Sequence, residues 1–137
     1  MPLDVKQVEY YNITVKDNIV EGSKILSIIA GAGVSFNAFK AVPLESMRTK
    51  FSLFPMDSVK MTEGAKKAGL KLDGPYSALL IKGDEKSGAL AEIYQKLSRA
   101  GIQVDESCGI ADINEGYGVV LYLKQEECEK AMMALIK

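Results

Sequence analysis

The order of hydrophobic and polar positions predicts a strand, a helix and a second strand in the latter half of the chain. Ala78 to Ile81 is an apolar run with the length of a strand buried on both faces. Apolar residues then recur at helical spacing at Leu90, Ile93 and Leu97. Gly101 follows where a glycine commonly ends a helix, and Ser87 is the predicted N-cap. The predicted strand, helix and second strand cover residues 76–83, 87–100 and 102–110.

The remaining elements follow from the same criteria. In the first half, Tyr11, Ile13 and Val15 alternate with polar residues and predict a strand with one buried face. Asp17 or Asn18 begins a predicted helix. Two strands, a helix and a short strand are predicted over residues 36–42, 50–56, 57–68 and 70–72, and Asp73-Gly74-Pro75 predicts a turn. A turn at Asn114–Gly116, a strand and a final helix complete the second half, the last two over residues 118–124 and 126–136.

The two halves match each other without gaps when residue n is placed on residue n + 68. Ile25, Ile29 and Gly33 then fall on Ile93, Leu97 and Gly101, which indicates an internal duplication. Each unit has the order β-α-β-β-α-β of the ferredoxin-like fold. We therefore predict an α+β protein with two such units, residues 1–74 and 75–137, with antiparallel sheets and helices on one face. A spare strand at residues 3–8 is expected to complete the sheet of the second unit, with the alternative that it is frayed or merely extends the first strand of the first unit.

Composition and charge exclude several classes of function. The 137 residues carry a net charge of -1, with 17 basic and 18 acidic residues, which gives no electrostatic case for nucleic acid or a membrane surface. There is no histidine, the commonest general base and metal ligand. Cys108 and Cys128 are too far apart in sequence for a metal motif, and we expect reduced core residues. With no transmembrane run and no signal peptide, a cytoplasmic protein without cofactor or metal is expected.

The run KGDEKSGALAEIYQKLSRAGIQV resembles the signature of ACT domains, a family of small regulatory units. The residues that carry the resemblance are Asp84, Gly88, Leu90, Ile93, Leu97, Gly101 and Ile102. It spans the second half and, more faintly, the first. In the first half Val20 stands where the family has its loop glycine, and Gly22 is out of step. The resemblance implies a tandem ACT protein that binds small amino acids at interfaces between units.

The same residues suggest how such a ligand would be held. A loop that precedes a helix offers free backbone N–H groups and the positive end of the helix dipole to a carboxylate. Gly83 and Gly88 would let the ligand approach the backbone, and Asp84 would accept a hydrogen bond from an ammonium group. The resemblance adds Gln103, where the family often has an amide that contacts ligand. The candidate ligand-binding residues are Gly83, Asp84, Ser87, Gly88 and Gln103, with weaker candidates at Asp17, Asn18 and Ser35.

A purely structural interpretation of these residues is also open: Ser87 would be only an N-cap, Asp84 a solvated turn residue and Gln103 a side chain that faces water. Two classes of function follow. The first is a non-catalytic sensor of an amino acid or similar zwitterion, in a homodimer. The alternative is an interaction or scaffold protein with the same fold and no ligand. An enzyme is not expected, since the sequence offers no obvious pair of nucleophile and base.

Overall fold

The computed structural model describes residues 3–84, 87–112 and 116–136. The elements, in chain order, are β1 Asp4–Val15, α1 Val20–Gly31, β2 Phe36–Pro43, β3 Thr49–Pro55, α2 Ser58–Lys67, β4 Asp73–Gly83, α3 Ala89–Arg99, β5 Glu106–Asp112, β6 Gly116–Tyr122 and α4 Gln125–Ile136. The predicted α+β class is confirmed, and the predicted order of strands and helices is confirmed from α1 to α4 apart from the corrections below.

Contacts divide the chain into two compact units. The N-terminal unit is Glu9–Tyr76, and the C-terminal unit is Ser77–Lys137 together with Met1–Val8. The long strands β1 and β4 each contribute one part to either unit. At the start of β1, Leu3 and Val5 pack against the core of the C-terminal unit, and Gln7 Nε2 donates a hydrogen bond to Ser77 Oγ (3.2 Å).

In the N-terminal unit, the strands lie in the order β2-β3-β1-β4. The strand β3 is antiparallel to both β1 and β2, and Ile13 of β1 lies opposite Phe51 of β3. The alternation predicted for Tyr11, Ile13 and Val15 is confirmed, since all three are buried against α1 and α2. Because every core position of the strands faces the same way, both helices cover one face of the sheet.

The C-terminal unit has the order β1-β4-β6-β5, with β6 antiparallel to β4 and β5. Leu79 and Ile81 on β4 and Leu121 on β6 are fully buried beneath α3 and α4. The inward residues of the helices are Ile93, Leu97, Cys128, Ala131 and Leu135. Here too the helices lie on one face, as predicted.

Two predictions about the segment between α2 and β4 are wrong. Residues 70–72 form no strand, and Asp73-Gly74-Pro75 is not a turn but the start of β4, with a cis peptide bond between Gly74 and Pro75. Glycine is required at position 74, because its φ is +146° and a β-carbon there would lie only 2.9 Å from the carbonyl oxygen of Tyr10. The fourth strand of the N-terminal unit is therefore the first part of β4.

The predicted start of α3 and the predicted bounds of β5 also need correction. Ser87 is not the N-cap, because α3 begins at Ala89 and its N-cap is Gly88, in the left-handed conformation with φ +84°. Leu90 is 56% exposed and does not belong to the core. Residues 102–105 are not strand, since β5 begins at Glu106. Of the predicted turn Asn114–Gly116, Asn114 and Glu115 lie outside the described residues, and Gly116 is the first residue of β6.

The two cysteines differ, which the sequence did not predict. Cys128 is buried in the C-terminal core, as expected, whereas Cys108 is exposed on β5. The difference follows from position: Cys128 is on the inward face of α4, and Cys108 is on a strand at the edge of its sheet.

Candidate functional site

A cleft of about 480 Å³ opens between the first turn of α3 and the strands β5 and β6, entirely within the C-terminal unit. The strand β5 lies at the end of the strand order, so the cleft borders the edge of the sheet. Among the residues that the structure describes, its lining contains no charged side chain. The lining residues are Gly88, Ala89, Leu90, Ala91, Ser107, Cys108, Gly109, Ile110, Ala111, Tyr117, Gly118 and Val119.

Two glycines, Gly109 on β5 and Gly118 on β6, line this cleft without side chains. Gly109 lies opposite Val119 and Ile110 lies opposite Gly118 in the β5–β6 ladder. A β-carbon on Gly109 would lie 3.2 Å from Cγ2 of Val119, so the strand backbone and the valine fill that space together. Glycine inside a strand commonly marks a site where another group approaches the backbone closely.

A second set of contacts fixes the loop that leads into α3. A β-carbon on Gly83 would lie 2.8 Å from the hydroxyl oxygen of Tyr117. A β-carbon on Gly116 would overlap the carbonyl oxygen of Gly83 and lie 3.4 Å from Cα of Asp84. Gly83 and Asp84 are therefore held against the start of β6, next to the cleft.

Burial and nearby carboxylates both affect the pKa of the Tyr117 hydroxyl. Desolvation by burial raises the pKa of Tyr117, and the negative charges of Glu92 and Asp84 raise it further. Both carboxylates therefore act on a side chain that lines the cleft. The Glu92 carboxylate is paired with Lys96 Nζ (3.8 Å). The carboxylate of Asp84 is therefore the group that favours a ligand with a cationic group near Tyr117.

The structure brings together some of the predicted site residues. Gly88 lines the cleft, Gly83 and Asp84 pack beside it through Gly116 and Tyr117, and Ser87 is exposed next to Gly88. The amides of Ala89, Leu90 and Ala91 form the first turn of α3, ahead of the first intrahelical bond from Glu92 N to Gly88 O (3.0 Å).

Gln103 lies elsewhere. It follows α3, whose eleven residues span roughly 16 Å, and it lines a separate depression with Tyr94, Ser98, Asp105 and Glu106. Ser107 borders both depressions, and its hydroxyl is hydrogen-bonded to the hydroxyl of Tyr94 (2.5 Å). Gly88 and Gln103 are thus at opposite ends of α3 and line two different depressions in the described part of this unit.

The three weaker candidates lie in the N-terminal unit, and the contacts of two of them are structural. Asp17 Oδ1 accepts hydrogen bonds from the amides of Ile19 (3.0 Å), the N-cap residue of α1, and of Val20 (2.8 Å), its first residue, and so stabilises the start of the helix. The carbonyl of Ser35 accepts the amide of Met56 (2.8 Å). Asn18 is exposed in the turn before α1.

Sequence reasoning missed Tyr117 and Gly109, which form much of the cleft. A signal was present, because glycines recur within the β5–β6 hairpin at positions 109, 116 and 118, where a strand interior disfavours them. That spacing marks places without side chains, but only the pairing of β5 with β6 puts them on the same cleft.

No helix within the described ranges is long and apolar enough to cross a membrane. The same residues contain no group of three or more cysteine, aspartate or glutamate side chains able to hold a metal ion.

No protein-family model and no curated protein matches the chain. Several solved structures share its fold. A protein of Bacteroides thetaiotaomicron aligns over 96% of this chain and 88% of its own, with 16% identity and a TM-score of 0.79. The ligand-free regulatory subunit of aspartate kinase from Thermus thermophilus aligns over 98% and 95%, with 14% identity and a TM-score of 0.68. The corresponding subunit from Thermus flavus aligns over 98% and 95%, with 15% identity and a TM-score of 0.60.

Proposed function

We propose that this chain, which has the tandem ACT fold, is a non-catalytic regulatory protein that binds a small amino acid or a similar zwitterion. The cleft of the C-terminal unit is the proposed site. The observation that carries the proposal is that Gly88 lines a cleft whose described side chains are uncharged, with Gly83 and Asp84 packed beside it.

Each part of an amino acid has a complementary group at this cleft. The amides of the first turn of α3 would bind the carboxylate, helped by the helix dipole. Asp84 would accept hydrogen bonds from the ammonium group, in the same region where it acts on Tyr117. The described part of the lining is uncharged, with Leu90 on α3 and Val119 on β6, and suits an uncharged side chain.

The regulatory part of the proposal is supported by the fold. Two of the solved structures with this fold are described as regulatory subunits of aspartate kinase, and the chain spans nearly their full length. Fold alone does not give function. The cleft is the feature that connects the fold with a ligand.

We also propose a homodimer. The strand β5 ends the strand order of its unit, and Ile110 on it is 81% exposed. An edge strand with an exposed apolar residue favours pairing with a second chain. Light scattering after size exclusion would give the mass of a dimer, and a monomer mass at all concentrations would contradict this proposal.

A thermal-shift screen tests the central proposal. Each free amino acid at millimolar concentration is added separately to the full chain, because a ligand that binds the folded state raises its melting temperature with concentration. At least one is expected to give a saturable rise. If none does, the protein does not sense an amino acid, and the scaffold alternative is favoured.

A further inference from the structure

We propose that the two units differ at equivalent places: the C-terminal unit has an open ligand cleft between the first turn of α3 and β5, whereas the N-terminal unit fills the corresponding space beside Gly22 with its own Phe51 side chain. This inference rests on the proposed function, since it states in which unit the ligand binds. It depends on comparing the two units by themselves, residue n with residue n + 68.

The β2–β3 and β5–β6 hairpins have the same pairing register at the positions that line the cleft. In the N-terminal unit Phe39 pairs with Leu53 and Ala41 with Phe51. In the C-terminal unit the residues 68 positions later pair in the same way, Ser107 with Leu121 and Gly109 with Val119. Phe51 and Val119 are therefore equivalent positions on equivalent strands.

The first helices correspond in the same register. The amide of Gly33 donates to Ala30 O (2.9 Å) after α1, and the amide of Gly101 donates to Ser98 O (3.0 Å) after α3. Ile25 and Ile93, at the same offset, are both buried. Gly22 on α1 is consequently the counterpart of Leu90 on α3.

In the N-terminal unit a large side chain from the sheet meets a glycine on the helix. A β-carbon on Gly22 would lie 2.5 Å from Cζ of Phe51 and 2.8 Å from its Cε2, so the ring is packed directly against the helix backbone. Phe39 covers the ring from the edge strand, with centroids 5.3 Å apart and planes at 75°. Phe51 is 2% exposed and belongs to the core of its unit.

In the C-terminal unit the sizes are reversed. Val119 replaces Phe51, Leu90 replaces Gly22 and Ser107 replaces Phe39. No ring reaches the helix from these positions, Leu90 stays 56% exposed, and the cleft lies between it and β5. The space that receives the ligand in one unit is thus occupied by Phe51 and Phe39 in the other.

The test maps two probes onto backbone amides of the full chain by nuclear magnetic resonance. One probe is each free amino acid at millimolar concentration. The other is isobutanol, a small apolar molecule that needs only open space and no recognition of a carboxylate. The reporter amides are Leu90 and Gly109 for the C-terminal unit and their counterparts Gly22 and Ala41 for the N-terminal unit.

In the wild type, isobutanol is expected to shift Leu90 and Gly109 and to leave Gly22 and Ala41 unchanged. In Phe51→Val, which reproduces the residue at the equivalent position, isobutanol is expected to shift Gly22 and Ala41 as well. If this variant does not fold, the wild-type comparison still decides. Shifts at Gly22 and Ala41 in the wild type, or none at Leu90 and Gly109, would overturn the inference.

The amino acid arm separates this inference from the proposed function. If isobutanol distinguishes the two units but no amino acid shifts any of the four amides, the proposed ligand class is wrong while the difference between the clefts stands. If an amino acid shifts Gly22 and Ala41 to the same extent as Leu90 and Gly109, the ligand class stands and the difference between the two units does not.

Discussion

Gly116 packs so tightly against Gly83 that a β-carbon at position 116 would overlap the carbonyl oxygen of Gly83. Gly116 also has φ +91°, a conformation in which other residues are strained. This contact joins the start of β6 to the loop that carries Asp84. The position of that loop, and with it one side of the candidate site, therefore depends on the absence of a side chain at position 116.

Gly116→Ala is expected to lower the free energy of unfolding by roughly 2–4 kcal/mol, because backbone strain and a backbone clash add. Urea denaturation measures the loss. Gly101→Ala is the matched control: Gly101 has φ +70° but open space around its Cα, so only the strain, about 1 kcal/mol, should be lost. An equal loss of unfolding free energy in the two variants would show that the clash with Gly83 adds nothing to the destabilisation.

The loops before α1 and α3 each contain an aspartate, and the two should behave differently. Asp17→Ala removes the two hydrogen bonds at the start of α1 and is expected to cost about 1 kcal/mol in urea denaturation without changing the response to amino acids. Asp84→Ala is expected to change stability by less than about 0.5 kcal/mol, since its side chain is exposed. It should abolish the thermal shift caused by the ligand. If Asp17→Ala abolished the thermal shift and Asp84→Ala left it unchanged, the site would lie in the N-terminal unit.

The helical and strand cores could be predicted from the sequence because they depend on local periodicity. Ile93 and Leu97, or Tyr11 and Ile13, are spaced as their elements require, and the glycines at positions 33 and 101 end the helices. The start of β4 could not be predicted. Asp73-Gly74-Pro75 has strong turn propensity, and its inclusion in a strand depends on Tyr10 and Tyr11 of β1, far away in sequence.

A partly buried hydrogen bond joins two strands of the N-terminal unit. Ser52 is 1% exposed, and its hydroxyl donates to Asn12 Oδ1 (2.6 Å). Ser52→Ala should lower the free energy of unfolding by about 1–2 kcal/mol, because it leaves the amide oxygen of Asn12 without its donor. A double-mutant cycle with Asn12→Ala should show a coupling above about 0.5 kcal/mol. Additive losses would mean that the two side chains do not interact.

The thiol of Cys128 should make stability fall at alkaline pH. Burial raises the pKa of Cys128, and the charge of Glu126 raises it further, so the unfolded state loses its proton at lower pH than the folded state. The stabilisation from the neutral buried thiol is complete below the unfolded value of about 8.5 and is lost as pH rises towards the folded pKa.

Urea denaturation at several pH values checks this dependence. Between about pH 8 and 9.5, Cys128→Ala should reduce the slope of stability against pH. A thiol reagent should modify Cys108 in the native protein and Cys128 only after unfolding. Rapid modification of both would contradict the burial of Cys128.

The candidate site was predicted only in part, for a physical reason. Gly83, Asp84 and Gly88 are close in sequence, so a loop-before-helix pattern identifies them together. Tyr117 and Gly109 reach the same cleft through strand pairing, which a local pattern does not encode. Gln103 was placed by resemblance alone, and α3 separates it from the cleft of its own unit.

The most direct measurement is a calorimetric titration of the full chain with the amino acid that gives the largest thermal shift. We predict saturable binding with one ligand per chain in the wild type and in Asp17→Ala, and loss of binding in Asp84→Ala. Heat of dilution alone, for every amino acid tested, would contradict the proposal that this protein senses one.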